Sequence, residues 1–472
     1  MSRKKDFLKN LIILAFGSIM PKAAQLIMLP IITGGLSQIE YGTYDLVVSM
    51  VSLLVPIATL QVQTATFRFL LDCRDNKQES ERIISNVLAF VLPVATLIII
   101  VLFLGLRNFA LKIRIVICIY YYVEILLRTF QQIARGIGKN TLYSSSAVME
   151  SLIQLFLVIV FIMFCKNGLL GALLAIAVAD TIAVCMLVLK MKIWKCINFS
   201  LCSLNSLKVM LKYSWPMVPN CLSTWVLSSS DKLVLTYFIG VEATAIYAVA
   251  TKIPLMLTTV QSAYALAWQE NASIASSDDD AGKYYSEMFD TTYGFIVGLF
   301  ALLVAVTPIL FILLIKGDYQ EAYPHIFILY MGTFFNCIMT FMGGIYIAHK
   351  QTLSVGVTSV CGAIINLIVD LVLVSKIGIY AASISTLVSF LFMATFRMID
   401  VQKFQKIHYP IKKMIYSICV SSIMCILAAQ NNWMFNCING CIGIVFAICM
   451  NRNVIKNLVI QIKRKFSYKG EK

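Results

Sequence analysis

The chain has 472 residues, of which 60% are hydrophobic and only 13% are charged, and its formal net charge is +16. A soluble domain is about 45–50% apolar and about 25% charged. This composition, with a mean hydropathy of +0.84, excludes an ordinary water-soluble protein and predicts a polytopic membrane protein. The basic residues stand between apolar runs and form no aromatic-interleaved patch, so we predict no nucleic-acid partner.

The first apolar run follows the basic segment "MSRKK" and contains Pro21 and Lys22 but no clear small-residue cleavage site. We therefore expect it to be a retained first span. A span needs about 20 predominantly apolar residues, and this measure predicts an all-α protein with about 14 transmembrane helices. The candidate spans are 10–32, 41–63, 83–105, 111–133, 142–164, 168–190, 212–237, 243–266, 289–315, 323–347, 352–374, 377–399, 411–430 and 434–451.

The loops between these spans alternate in charge along the whole chain. Segments rich in Lys and Arg, such as "RGIGK", "KMKIWK" and "KFQKIHYPIKK", lie on the same side as both termini. The positive-inside rule then places both termini in the cytoplasm. The longest water-facing segments, at 68–82, 191–211 and 267–288, are all on this inner side. The outer loops are too short to house a catalytic domain.

Three pairs of segments recur in the same order and at a nearly constant separation. They are 34–49 with 237–252, 133–146 with 345–359, and 166–179 with 376–389. Such a repeat predicts two parallel six-helix lobes around a central cavity, followed by two extra helices. We expect an N-terminal lobe at 1–192, a cytoplasmic linker at 193–210, a C-terminal lobe at 211–402, and two helices with a basic tail at 403–472.

A charge at the centre of a bilayer costs a few kcal/mol, so charges inside spans normally face a wet cavity or a partner. Glu124 and Arg128 are four residues apart on one helix face and can pair. The pair is either an internal structural salt bridge or a charge that lines the cavity. Asp180 and Asp370 are candidates for proton or sodium coupling.

Two lysines have no carboxylate close to them in the sequence, namely Lys22 in the first span and Lys252 in the eighth. Unpaired cations in a cavity would attract an anionic substrate, and snorkelling to the membrane surface is the alternative. Asp231 and Lys232 fall about 28 Å from the predicted start of the seventh span. This distance predicts a position near the outer boundary, as an interfacial anchor, a local pair or a gate contact between the lobes.

The cysteines and histidines give no sign of a metal or catalytic centre. The 14 Cys include no CxxC pair and no Cys/His ligand spacing, so we expect small buried hydrophobes and no disulfides. His325, His349 and His408 have no catalytic spacing. We predict no enzyme activity, no cofactor and no metal.

Several longer stretches carry a resemblance to a known family. They are "LPIITGGLSQIEYGTYDLV" at 29–47, "SWPMVPNCLSTWVLSSSDKLVLTYFIG" at 214–240, "IYAVATKIP" at 246–254, "AYALAWQE" at 263–270, "GDYQEAYPHIFILYMG" at 317–332 and "INLIVDLVLVSKIGIYAASISTLVSF" at 365–390. The chain resembles the polysaccharide-biosynthesis flippases of the multidrug/oligosaccharidyl-lipid/polysaccharide exporter superfamily, which move O-antigen and capsule repeat units.

The resemblance implies export of an undecaprenyl-pyrophosphate-linked oligosaccharide across a bacterial plasma membrane by alternating access. It implies that Lys22 and Lys252 engage the pyrophosphate. Relatives often carry Arg at the position of Lys232, and Lys is a point charge without the bidentate fork of Arg. Aromatic residues could stack on the sugars or simply pack within the bundle; they are Trp215, Trp225, Tyr247, Tyr264 and Trp268.

Three other functions remain open from the sequence. A drug or metabolite antiporter of the same fold would favour an acidic cavity, which the two lysines oppose. A glycan polymerase or ligase would need acid–base groups on the outer face, and a non-transporting scaffold would not need charges inside its spans. The expected partners are the lipid-linked oligosaccharide and membrane lipids, with glycosyltransferases and a glycan polymerase in the same pathway.

Overall fold

A computed structural model describes residues 2–73, 76–276, 278–452 and 456 of the chain. The side chains of 2–15, 199, 263, 266 and 352 fall outside this description, as does most of the basic tail predicted at the C-terminus. The described residues form helices joined by short turns and include no β-strand. The predicted all-α class is therefore confirmed.

The chain divides into two compact units. The first comprises Met1–Trp225 and Leu314–Asp318. Its helices are α1 (Ser2–Gly35), α2 (Gln38–Thr59), α3 (Val62–Asp72), α4 (Lys77–Gly105), α5 (Leu111–Gly136), α6 (Asn140–Val158), α7 (Gly168–Met191) and α8 (Leu204–Ser214). A π-helical turn, Ile159–Phe164, extends α6, and two short 3-10 turns, Ile193–Lys195 and Phe199–Leu201, precede α8.

The second unit comprises Val226–Leu313 and Tyr319–Lys472, and the boundary falls inside α9 (Met217–Phe238). The helices that follow are α10 (Val241–Lys252), α11 (Leu255–Ala275), α12 (Ala281–Leu314), α13 (Ala322–Ala348), α14 (Thr352–Ile377), α15 (Ile379–Val401), α16 (Ile411–Ala429) and α17 (Trp433–Met450). The lobe boundaries expected from the repeats stay a prediction.

Eleven helices among the described residues are long and apolar enough to cross a membrane, and the bent pair α10–α11 raises this number to twelve. The chain is thus a multi-pass membrane protein, but the predicted count of 14 is not confirmed. The helices α5 and α9 are not among these eleven. With 26 and 22 residues, both are nevertheless long enough to cross a membrane. Both carry charges in their interior, and these lower their hydropathy.

Proline explains two breaks that the apolar runs did not predict. The predicted span 212–237 is divided, because α8 ends at Ser214 and α9 begins at Met217, on either side of Pro216. The predicted span 243–266 bends by 45° between Lys252 and Leu255, next to Pro254. Proline has no N–H to donate and its ring clashes with the preceding turn, so a helix kinks or stops there.

The packing of each unit sets the positions of its buried charges. In the first unit, α7 packs against both α5 and α6, and it presents the fully buried small residues Ala172, Ala175, Ala179 and Ala183. Small side chains let membrane helices approach closely. In the second unit, α13 packs against α15 and α11, with Trp268 stacked on Phe341 at a centroid distance of 4.3 Å.

Candidate functional site

The first unit contains a cluster of three carboxyl groups around one arginine. The ion pair predicted within α5 forms, since Arg128 donates to Glu124 Oε1 from Nε and approaches it with Nη2, each at 2.7 Å. Arg128 Nη2 also lies 3.9 Å from Glu150 Oε1 on α6. Asp180 on α7 interacts electrostatically with Glu124, Arg128 and Glu150, and its buried Oδ2 has no hydrogen-bond partner among the described residues. The pair is therefore one part of a larger polar network.

These four side chains lie at similar distances from the same ends of their helices. At 1.5 Å per residue, Arg128 is about 12 Å and Glu124 about 18 Å from Gly136, where α5 ends. Glu150 is about 15 Å from the start of α6, and Asp180 about 17 Å from the end of α7. All of these ends belong to the side predicted to be cytoplasmic. The cluster is therefore at mid-helix depth.

The second unit holds a separate buried cluster, centred on Asp231 of α9. This carboxylate is 1% exposed and accepts hydrogen bonds from Tyr247 Oη at 2.6 Å, Thr386 Oγ1 at 2.8 Å and Ser385 Oγ at 3.4 Å. Asn366 Nδ2 donates to Ser385 Oγ at 3.3 Å, which extends the network to α14. Four helices thus supply oxygen-bearing side chains to one point.

Asp370 lies on α14, one turn after Asn366, and its side chain is fully buried. Within the described part of the chain, neither of its carboxylate oxygens has a hydrogen-bond partner. It interacts electrostatically with Asp231. A buried carboxylate without a donor is costly, and a second carboxylate nearby adds repulsion. The pair is suited to bind a proton or a small cation, which would remove both penalties.

The structure corrects the predicted surroundings of Asp231 and Lys232. Because α9 begins at Met217, five residues later than expected, Asp231 is about 21 Å from its start and about 10 Å from its end at Phe238. Both side chains are buried, so an anchor at the membrane surface is wrong. The Asp231 carboxylate is instead an internal hydrogen-bond acceptor. A role as a gate stays a prediction.

The two lysines assigned to the pyrophosphate stand in different surroundings. Lys22 on α1 has an exposed side chain, whereas Lys252, the last residue of α10, is half-buried. Both have interaction partners in the structure, so neither is the unpaired cation inferred from the sequence. The exposed Lys22 remains accessible to a ligand, and the phosphate-binding role of both stays a prediction.

Sequence reasoning missed three polar residues in these surroundings. Glu150 completes the first cluster and Asn366 the second, and each was visible as a polar residue inside a predicted span. Arg397 on α15 is 3% exposed. It donates four hydrogen bonds, to Thr358 Oγ1, Ser359 Oγ and the carbonyl oxygens of Met339 and Val355. Its acceptors are neutral, and they tie α15 to α13 and α14.

The aromatic residues considered for sugar stacking divide into two groups. Trp225 and Trp268 are buried and donate to the carbonyl oxygens of Ser49 and Phe341, at 3.0 and 2.8 Å. Tyr247 is buried against Asp231. Tyr264 is half-buried and Trp215 is exposed. Packing thus accounts for the first three, and Trp215 is free to contact lipid or ligand.

An apolar groove of about 830 Å³ lies in the second unit between α13, α15 and α16. Its walls include Phe335, Leu391, Met398, Ile415 and Ile418, and its polar lining is limited to residues such as Thr395, Gln402 and Tyr409. Ligand sites in proteins are commonly 300–1,000 Å³ and mainly apolar. The groove therefore has the size and chemistry to hold a lipid chain.

No group of three or more His, Cys, Asp and Glu side chains arranged to hold a metal ion occurs among the described residues. All 14 cysteines are free thiols. The oxygen-rich cluster around Asp231 and Asp370 is the part of the described structure best suited to a small cation.

Known proteins share features of sequence and fold with this chain. The model of a family described as "Polysaccharide biosynthesis protein" matches residues 7–268. Among solved structures, the chain is similar to the lipid II flippase MurJ in an inward closed conformation, with a TM-score of 0.72 and 14% identity. That match covers 96% of this chain and 100% of the other.

The chain is also similar to multidrug resistance MATE family transporters of the MOP superfamily. An inward-facing structure gives a TM-score of 0.62 at 12% identity over 80% of this chain and 98% of the other. An outward-facing one gives 0.59 at 14% identity over 84% and 95%. No curated protein matches the chain. At these identities the structural likeness establishes a shared fold.

Proposed function

Because the chain belongs to the polysaccharide biosynthesis protein family, we propose that it is a flippase for a lipid-linked glycan. Its substrate would be an oligosaccharide repeat unit carried on undecaprenyl pyrophosphate. The protein moves this molecule from the inner to the outer leaflet of a bacterial plasma membrane for assembly of a surface polysaccharide such as O-antigen or capsule.

The observation that carries the proposal is the apolar groove between α13, α15 and α16. A lipid-linked glycan brings a long hydrocarbon tail, which a soluble drug or metabolite does not have. The groove has a volume of about 830 Å³ and an almost wholly apolar lining, so a hydrocarbon tail can enter it without displacing polar contacts. Because the tail comes from lipid and not from water, van der Waals packing against the groove holds it there. One isoprenoid segment of the tail occupies the groove while the rest stays in the bilayer.

The pyrophosphate needs cations on its path. Lys22, exposed on α1, and Lys252, at the end of α10, are the positions assigned to it. Lysine binds phosphate as a point charge. In this proposal the two lysines bind the pyrophosphate while the substrate head group crosses the protein. The sugars follow the pyrophosphate through the same hydrated passage.

Coupling to an ion gradient is assigned to Asp370 and Asp231 in the second unit. The partnerless carboxylate of Asp370 supports this assignment. A proton or sodium ion bound there changes the free-energy difference between inward- and outward-open states by its differential affinity for the two. Lys232, adjacent to Asp231, belongs to the same switch.

The activity proposed is transport without chemistry, so no catalytic residue or cofactor is assigned. Both termini are cytoplasmic in this proposal. The glycosyltransferases that build the repeat unit supply the substrate from inside, and a glycan polymerase uses the product outside. Membrane lipids surround the chain throughout.

The alternative is an ion-coupled drug or metabolite antiporter. The fold likeness to MATE transporters and the excess of carboxylates around Arg128 favour it, since acidic side chains attract organic cations. The antiporter alternative gives no role to the apolar groove. Expression that confers resistance to cationic drugs, without restoring a glycan, would establish this alternative.

The proposal is tested by complementation. The chain is expressed in a bacterium that lacks its own repeat-unit flippase, and surface polysaccharide is measured by labelling intact cells. Restoration is expected. A drug-efflux phenotype with no glycan from a well-expressed chain, tried across several repeat-unit structures, would overturn the proposal in favour of the antiporter.

A further inference from the structure

The apolar groove ends at a basic segment of the chain, residues 402–413, which joins α15 to the first turn of α16. Gln402, Tyr409 and Ile411 belong to this segment and also line the groove. Leu387 is the lining residue of α15 farthest from the segment, and it lies about 21 Å from the end of that helix at Val401. The groove therefore runs into the bundle from the side predicted to be cytoplasmic.

Contacts within the second unit fix the shape of the basic segment. The Gln402 side chain exchanges two hydrogen bonds with the backbone of Ile407, since Nε2 donates to the carbonyl oxygen at 2.8 Å and Oε1 accepts from the N–H at 3.1 Å. The carbonyl oxygen of Lys406 lies against Gly282 of α12, where an added Cβ would be only 2.7 Å from it. A segment that is already ordered loses little conformational entropy when a ligand binds.

The four lysines of the basic segment differ in whether their charge is paired. Two of them form ion pairs of 2.7 Å with carboxylates of the second unit, namely Lys403–Asp400 and Lys413–Asp290. The side chains of Lys406 and Lys412 are exposed, and neither has an ion-pair partner among the residues that the structure describes. The segment therefore keeps two uncompensated positive charges beside the end of the groove.

A ligand that matches both features must join an apolar chain to a head with more than one negative charge. A phospholipid has two chains, and its head commonly carries a single negative charge. A polyisoprenyl pyrophosphate has one chain, which suits a groove between three helices, and a pyrophosphate whose charge matches two amines. Basic sites beside membrane helices on the cytoplasmic side bind phosphate head groups, and lysine does so as a point charge.

We propose that Lys406, Lys412 and the groove together form a loading site for a polyisoprenyl pyrophosphate in the inner leaflet. The two amines bind the pyrophosphate at the membrane surface, and the isoprenoid segment next to it lies in the groove. This site is separate from Lys22 and Lys252, which act later, while the head group crosses the protein. That the bound lipid is the carrier of the transported glycan rests on the proposed function.

The test uses the purified full-length chain in phosphatidylcholine nanodiscs. The probe is farnesyl pyrophosphate with a photoreactive diazirine at the end of its tail, and mass spectrometry identifies the residues that it cross-links. Competition with unlabelled farnesyl pyrophosphate gives the Kd. The double variant Lys406→Met with Lys412→Met removes both unpaired amines. The matched control, Lys139→Met with Lys350→Met, removes two exposed lysines from short connections predicted to lie on the same side.

Wild type and the matched control should bind the probe equally and cross-link to groove-lining residues such as Leu391 and Ile415. The double variant Lys406→Met with Lys412→Met should raise the Kd by about tenfold, because charge-assisted contacts to the pyrophosphate are lost. Both lysines are exposed, so this variant should keep the Tm of wild type. Thr395→Trp fills the groove and should lower the labelling although both amines are present.

An unchanged Kd in the double variant, or cross-links only outside the groove, overturns the proposal. So does displacement of the probe by phosphatidylglycerol as readily as by unlabelled farnesyl pyrophosphate, because the site would then accept any anionic lipid. Complementation in cells is measured separately. A chain that restores a surface glycan but binds the probe without the two lysines loses only the loading site, whereas one that binds the probe through them but restores no glycan loses only the proposed function.

Discussion

Replacing Asp370 by Asn should separate the stability of the protein from its function. The two oxygens of Asp370 have no hydrogen-bond partner among the described residues, whereas Asp231 accepts from Tyr247, Thr386 and Ser385. The substitution Asp370→Asn removes a charge that is buried without a donor. We expect the free energy of unfolding to stay the same or to rise by about 1 kcal/mol.

Asp231→Asn is the matched comparison, because the same chemical change replaces a charged acceptor of three donors by a neutral amide with a single acceptor oxygen. Each bond within a membrane bundle contributes about 0.6 kcal/mol on average, and hydrogen bonds to a charged group contribute about 1.5–3 kcal/mol. The expected loss is therefore about 2–4 kcal/mol in total. Transport should fall in both variants, since both carboxylates belong to the site assigned to the coupling ion.

The assay is thermal unfolding of the purified chain in detergent, at several sodium concentrations and pH values, with glycan complementation in parallel. An ion that binds only the folded state raises stability by about 2.7 kcal/mol at 100 times its Kd. Sodium or protons should raise the Tm of wild type and leave that of Asp370→Asn unchanged. A larger loss of stability in Asp370→Asn than in Asp231→Asn would refute the reasoning, because it would mean that Asp370 is a structural residue.

Three further predictions concern the groove and the packing of the second unit. Thr395→Trp fills the groove, so glycan export should fall several-fold in cells. The control Phe396→Trp is exposed on the same helix but outside the groove lining, and it should leave export unchanged. Equal export by the two variants would contradict a lipid-tail site. Arg397→Lys cannot reproduce four hydrogen bonds and should lower the free energy of unfolding by about 1–3 kcal/mol, and an unchanged Tm would show that these bonds contribute little. Lys413→Met removes a 2.7 Å ion pair with Asp290 that joins α16 to α12. Both side chains are partly exposed, so the free energy of unfolding should fall by less than about 1 kcal/mol. Lys412→Met is the control.

The apolar runs were sufficient to predict most of the helices, because a span must satisfy its own backbone hydrogen bonds and expose apolar side chains to lipid. They failed at α8–α9 and α10–α11, where Pro216 and Pro254 interrupt the helix inside a continuous apolar run. Hydropathy measures transfer from water to lipid and does not detect a missing backbone donor. Proline marks both breaks, but proline position alone does not identify them, because Pro21, Pro30, Pro56, Pro93 and Pro308 lie inside continuous helices.

The site was only partly predictable for a different reason. Glu124 and Arg128 are four residues apart, so helical geometry alone predicted their contact. Asp180 is 56 positions from Glu124 in the chain, and the proximity of the two residues depends on how α7 packs against α5, which one sequence does not specify. Likewise, the burial of Asp231 depends on side chains of α10 and α15, namely Tyr247, Ser385 and Thr386, which lie 16 to 155 positions away in the chain.

Direct measurement of glycolipid movement tests the central claim most closely. The purified chain is reconstituted into liposomes that contain a fluorescent undecaprenyl-pyrophosphate oligosaccharide, and the fraction of the head group accessible from outside is followed over time. The account predicts that the chain accelerates the movement between leaflets, and that Lys22→Ala with Lys252→Ala slows it at least tenfold. Movement no faster than in liposomes without protein, from a folded chain tested with several head groups and ion gradients, would contradict it.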